Sequence, residues 1–255
     1  MITFNLIPLI LSFTMLYALQ QSYFGLWRED KVPYAQDTYH RECKKISPIK
    51  ILPCYFPNES AKGSVLLIGD SHAVSMIFAF NEIVKSKGFE LYYGGDFEDA
   101  DQIESLSENF KPKIVFLSRY WHLVDGGIPK KFLQKVEDLD RRYLNLVIVG
   151  QTPVFPDETL FRNQKSVFNG LYIAPKSFSR KDMDQSAFMA GEAIKEFASS
   201  NKIDFLSTVD VFCHETECVR WSNNGWLYWD DDHLSILGAR SLIPALNEYL
   251  SRASN

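Results

Sequence analysis

The chain has 255 residues, 46% hydrophobic and 23% charged. That length and mix support one globular core with an appendage, or two very small domains, and exclude a disordered chain, a collagen-like fibre and a polytopic membrane protein. Lys and Arg number 27 against 32 Asp and Glu, a net charge of −5, so the basic footprint of a nucleic-acid binder is missing.

No charged side chain precedes Arg28, and residues 4–19 contain only Asn5, Ser12 and Thr14 as polar groups. With its uncharged flanks this run reaches the ~20 residues a membrane-spanning helix needs. Tyr23 and Trp27 fall where interfacial anchors sit. Residues 1–27 therefore read as an uncleaved membrane anchor or a last transmembrane helix, in which Pro8 is tolerable. Two alternatives fit less well. A signal peptide would have a basic start and a small-residue cleavage site, and a buried core helix would carry a polar face. Residues 28–60 are interrupted by Pro33, Pro48, Pro53 and Pro57 and contain Cys43 and Cys54; they read as an irregular linker.

Residues 61–255 read as the main domain. Val65-Leu-Leu-Ile68, bounded by Gly63 and Gly69, has the pattern of a parallel strand buried on both faces. A helix over 72–87 follows, with Ala73, Met76, Ile77, Phe80 and Val84 at helical spacing. Next come a strand at 89–93 ended by Gly94-Gly95, a helix at about 100–109 and a strand at 114–117. A helix at 130–143, a strand at 146–149, a helix at 186–199, a strand at 203–206 and a last helix at 235–252 complete the series. Five alternations predict a three-layer α/β/α, doubly wound, flavodoxin-like sheet of five parallel strands, with ligands at the strands' carboxyl ends.

The cysteines form two local pairs, Cys43 with Cys54 and Cys213 with Cys218. Neither has C-x-x-C spacing. Cys213-His214 with Cys218 can supply three zinc ligands, but two short-loop disulfides in an oxidising compartment agree better with an exported domain.

The first strand exits into Gly69-Asp70-Ser71-His72. Ser71 arrives at the start of the following helix, where unpaired N–H groups suit a developing oxyanion; a plain N-cap is the bland reading. Near the C-terminus stands Asp230-Asp231-Asp232-His233. A serine needs a base to become a nucleophile, and the imidazole needs a carboxylate on its other nitrogen. Asp230, three residues before His233, can fold back to Nδ1. Asp231 is a weaker candidate, and Asp232 is expected to point elsewhere. A solvated helix cap and a calcium site are the competing readings of the acidic run.

Gly-Asp-Ser-His at a first strand exit, with Asp-x-x-His before the last helix, resembles the SGNH (GDSL-type) hydrolase superfamily. The longer Leu67-Ile-Gly-Asp-Ser-His-Ala73 and Tyr228-Trp-Asp-Asp-Asp-His-Leu-Ser235 resemble the periplasmic SGNH domain of acyltransferase family 3 enzymes, which O-acetylate bacterial surface glycans such as lipopolysaccharide. The resemblance implies Ser71 as nucleophile, His233 as base and Asp230 as its orienting carboxylate. It implies oxyanion or substrate contacts from Gly94 or Gly95, and from the third-strand exit, where Arg119 and Trp121 replace the superfamily's Asn. His72 and His122 are then structural or substrate-contacting, and Gln151-Thr152-Pro153 shapes the pocket. It also implies disulfides and an inner-membrane span with the catalytic domain in the periplasm, as the C-terminal part of a larger acyltransferase or a stand-alone relative.

The leading expectation is serine-dependent O-acyl transfer to a glycan hydroxyl, with a membrane acyltransferase domain as the partner that delivers the acyl donor. An acetylesterase with the same triad is the runner-up. A non-catalytic glycan-binding module, using Trp221, Trp226, Tyr228 and Trp229, is the alternative of another class. No nucleotide loop is present, and neither a cofactor nor an essential metal is expected.

Overall fold

A computed structural model describes residues 42–44, 54–96, 111–142, 145–156 and 176–253. The expected membrane anchor, most of the linker and the helix at 100–109 lie outside these residues. Among the described residues no helix is long and apolar enough to cross a membrane.

The central sheet has six strands: β1 (Cys54–Phe56), β2 (Ser64–Gly69), β3 (Glu90–Tyr93), β4 (Ile114–Ser118), β5 (Leu146–Val149) and β7 (Asp204–Leu206). They run in the order β1-β3-β2-β4-β5-β7. The last five are parallel neighbours and match the five strands expected. The sixth, β1, pairs antiparallel with β3 inside what reads in sequence as an irregular linker. Its three residues are too few to show a pattern between Pro53 and Pro57. Cys54 and Phe56 point into the core, Tyr55 stacks on Tyr92 at 5.6 Å, and the Cys43–Cys54 disulfide ties the strand down.

Alternation along each buried strand divides the core in two. Val65, Leu67, Ile114, Phe116, Val147 and Val149 pack on one side with α1 (Ser71–Ser86), α5 (Ile236–Ser241) and α6 (Ile243–Ala253). Leu66, Ile68, Val115, Leu117, Leu146 and Ile148 pack on the other with α2 (Lys130–Arg142) and α3 (Gln185–Asn201). Helices on both faces are what a strand without a polar face requires.

The single last helix expected at 235–252 is instead α5 and α6. Pro244 has no N–H to give the Arg240 carbonyl, so the ladder breaks there and restarts. Between α3 and α5 the chain forms β7, the short α4 (Val209–Phe212) and β8 (Glu217–Val219), which pairs with β6 (Ser177–Ser179). The β9–β10 ribbon (Trp221–Ser222, Gly225–Trp226) follows. Cys213 and Cys218 are joined by a disulfide across this turn, which removes both thiols from any zinc set.

Candidate active site

The first arm of the site grows from β2. Gly69 has φ of 151°, and a Cβ there would collide with the Ser118 carbonyl oxygen, so only glycine lets β2 and β4 close up at this point. Asp70, not Ser71, is the N-cap of α1. Its Oδ1 accepts from the His72 N–H at 2.9 Å, and its Oδ2 accepts from the Tyr120 N–H at 2.9 Å. One carboxylate thus fixes the helix start to the β4 exit. Ser71, relieved of capping, is the first helical residue and is exposed.

The second arm is the loop at 227–235. It is closed by Ser235 N–H to Leu227 O at 3.0 Å and Trp229 N–H to His233 O at 2.8 Å. Ser235 caps α5 through Gly238 N–H and donates its hydroxyl to Trp226 O at 2.6 Å. Gly238 lies flush on the Leu227 carbonyl, where a Cβ would collide. The β5 exit braces the loop from outside: Phe155 N–H donates to Asp231 O at 2.9 Å, and Thr152 Oγ1 donates to Asp232 O at 3.0 Å.

The two arms meet at His233. Its Nε2 lies 2.8 Å from Ser71 Oγ. Its Nδ1 is hydrogen-bonded to the Asp230 carboxylate at 3.0 and 3.1 Å. Asp230 is 5% exposed and also accepts the backbone N–H groups of Asp232 and His233. Ser71 and Asp230, both expected beside His233, are therefore each in hydrogen-bond reach of its ring, on opposite nitrogens. Asp232 departs from expectation: rather than pointing elsewhere, its Oδ1 makes an ionic contact with His233 Nδ1 at 2.7 Å. Tight turning of the loop brings both carboxylates to one side of the ring.

These contacts reset the charges. Burial alone pulls His233 down, but hydrogen bonds and charge from Asp230 and Asp232 push it up to about 10. Burial alone raises Asp232, yet His233 and His72 outweigh it and hold the carboxyl well below the usual range. Both carboxylates favour the imidazolium form of the ring between them. Among the described residues, Asp230, Asp231 and Asp232 form one of two groups with metal-ligand proximity, the other being His72, Asp232 and His233. The Asp230 and Asp232 carboxylates are engaged with the histidine rings, which argues against the calcium reading.

Other residues fall differently. The Gly94 N–H donates to Leu67 O at 2.8 Å and is spent in the sheet. Gly95, at φ 69°, gives its carbonyl to the Gly69 N–H and stands beside the β2 exit. Trp121 does not line the crevice: it is 2% exposed, its Nε1 donates to Val149 O at 3.0 Å, and it packs in the core under α2. Arg119 is buried along the Phe132 ring, 4.2 Å from its centroid, with Nη1 3.9 Å from Asp96, and forms a wall. Trp226 and Tyr228 are core residues, whereas Trp221 and Trp229 remain half-buried. His122 is exposed against Phe132. Sequence reasoning missed Asp70 as the brace and Asp232 as a partner of His233; an aspartate beside two others carries no signal of which way it turns.

A family model described as SGNH domain (fused to AT3 domains) matches residues 38–248. No curated protein matches the chain. Among solved structures, the periplasmic domain of a lipopolysaccharide acetyltransferase from Salmonella ser. Paratyphi A is 14% identical, with a TM-score of 0.59 over 88% of this chain and 100% of that one. A GDSL-like lipase from Bacteroides thetaiotaomicron is 12% identical, with a TM-score of 0.46 over 75% of this chain and 89% of that one. A variant of an acetylxylan esterase from Geobacillus stearothermophilus is also 12% identical, with a TM-score of 0.46 over 76% and 96%.

Proposed function

The chain belongs to the family of SGNH domains fused to AT3 domains and has their mixed α/β fold, and we propose that it is a serine-dependent O-acyltransferase acting on hydroxyls of a bacterial envelope glycan. The observation that carries this reading is the run Ser71–His233–Asp230 at the carboxyl edge of the sheet, with Oγ to Nε2 at 2.8 Å. In such a run the hydroxyl proton has a base to go to, and that base is oriented from behind.

Ser71 Oγ attacks the acyl carbon of the donor while its proton passes to Nε2 of neutral His233. The tetrahedral oxyanion is met by the N–H of Ser71, at the start of α1, and by the N–H of Gly95; the Tyr120 and Trp121 N–H groups are already committed to Asp70 and Gln151. Collapse expels the leaving group, which takes the proton from Nε2. A glycan hydroxyl then gives its proton to Nε2 and attacks the acyl carbon, and Ser71 leaves with that proton restored. Asp230 holds the Nδ1–H tautomer throughout and stabilises the imidazolium between transfers.

The donor is delivered by a membrane acyltransferase domain, in line with the fusion that defines the family, and the domain works in the periplasm, tethered through residues 1–27. A second reading rests on the exposure of Ser71: water reaches the same acyl-enzyme, which gives an acetylesterase. The two separate when the chain is incubated with an acetyl donor with and without envelope glycan. Acetylated glycan formed at the expense of free acetate is the expected result; acetate alone, unaffected by glycan, supports the esterase. Products unchanged in Ser71→Ala sink both.

A further inference from the structure

His72 and Thr152 form a closed support behind the candidate base. His72 is 2% exposed, and its ring lies 4.8 Å from that of His233. Its Nδ1 is 3.2 Å from Thr152 Oγ1, and Thr152 spends its single hydroxyl proton on the Asp232 carbonyl at 3.0 Å. His72 Nδ1 thus faces the oxygen of that hydroxyl. On the far side of the ring, Nε2 is 3.5 Å from Asp232 Oδ2. The other oxygen of that carboxylate is the one at His233 Nδ1. Asp232 is thus gripped at its backbone by Thr152 and at its side chain by His72, and bridges two imidazoles.

We infer that His72 and Thr152 are positioning residues that act through Asp232, which serves as a second carboxylate for the His233 imidazolium. The inference rests on His233 as the base of the proposed reaction, but its core can be tested without turnover. Two carboxylates on one nitrogen are useful where the imidazolium must form twice per cycle. Asp230 lies on the N–H and sets the tautomer, while Asp232 adds charge. An adjacent residue in a tight loop would swing to water without an outside hold, because a solvated carboxylate has no need of a half-buried one's contacts. The buried histidine next to Ser71 supplies that hold. Ionisable groups facing the pair are Asp70, from the start of α1, Tyr120, from the β4 exit, and Asp230 and Asp231, from the loop itself; Asp184 acts on Tyr120.

The test is a titration of His233 by NMR on ¹³C-histidine-labelled full-length protein carrying Ser71→Ala, in which no acyl transfer intervenes. With five histidines in the chain, the His233 signal is identified by its loss in His233→Gln. Asp232→Asn should lower the His233 pKa. His72→Phe, which keeps a ring in the cavity, and Thr152→Val should lower it in the same direction, and neither should shift it further in the Asp232→Asn background. Thr152→Ser should behave as the parent. An unchanged or raised His233 pKa in both His72→Phe and Thr152→Val, or additive shifts with Asp232→Asn, overturns the inference. In the Ser71 protein, compared on the alkaline plateau where His233 is neutral in every variant, the same substitutions should lower kcat about tenfold with KM unchanged, the pattern of a group felt only in the transition state. If Ser71→Ala itself leaves turnover intact, the proposed reaction fails, while the titration result stands on its own.

Discussion

The Ser71 arm and the His233 arm, 162 residues apart in sequence, are fixed by different means. Ser71 is placed by secondary structure: a buried strand, a glycine that admits only one close approach, and a helix whose N-cap also grips the neighbouring strand exit. His233 is placed by a loop whose own hydrogen bonds are supplemented by Thr152 and Phe155 from the β5 exit and by Ser235, the N-cap of α5. The first arm resists change because moving it means moving the sheet. The second can be loosened one hydrogen bond at a time, and it is the arm whose charge state is adjustable.

Substitutions in the two arms should therefore fail differently. The largest effect is expected from Ser71→Ala, a loss of ~10⁴-fold or more in acyl transfer with the melting temperature unchanged; retained activity would break the first arm's role. Asp230→Asn comes next. A triad that loses its only carboxylate typically drops ~10⁴-fold, but here Asp232 remains 2.7 Å from Nδ1, so about 10²–10³-fold is expected. A full 10⁴-fold loss would mean that Asp232 contributes nothing.

Acidity sharpens the contrast. His233 is raised to about 10, so its neutral form, the one that can accept the serine proton, gains population as pH rises through the alkaline range. Pre-steady-state acylation should climb with pH well beyond the usual imidazole midpoint of about 6.5, and Asp232→Asn should move that limb to lower pH. A limb at the ordinary value in the parent would contradict the two-carboxylate arrangement. The same raised pKa makes the ionised His233 a stabilising group that is fully present below about 6.5 and lost as pH rises through about 10.

Gly69→Ala tests the rigid arm. Its Cβ collides with the Ser118 carbonyl, and overpacking of this kind costs about 1–3 kcal/mol, so both stability and activity should fall, unlike in Ser71→Ala. Removing the Cys213–Cys218 disulfide with paired alanines should have the smallest effect on rate, within about twofold. A five-residue separation predicts a stability loss of about 2 kcal/mol, seen as a lower melting temperature.

The difference between the arms also explains what could be read in the sequence. The five parallel strands and the place of Ser71 were legible because short apolar runs report their own burial, and three of them are ended by a glycine, Gly69, Gly94 or Gly150. The Asp-x-x-His spacing was legible because three residues span one turn. Strand β1 was not, since three residues between prolines show no period and its partners, Leu91, Tyr92 and Tyr93, lie 35 to 39 residues on. Trp121 misled because a tryptophan at a strand exit reads the same whether its ring enters the crevice or the core. The Thr152 and His72 supports were invisible as supports: each depends on contacts 80 residues away in sequence, and no local pattern encodes them.

The most direct test of the proposed acyl transfer is to mix the full chain with an acetyl donor, quench within one turnover and locate the adduct by peptide mass spectrometry. The account predicts an acetyl group on Ser71 that forms faster as pH rises and disappears when glycan is added. An adduct on any other residue, or turnover with Ser71 never acetylated, would contradict it.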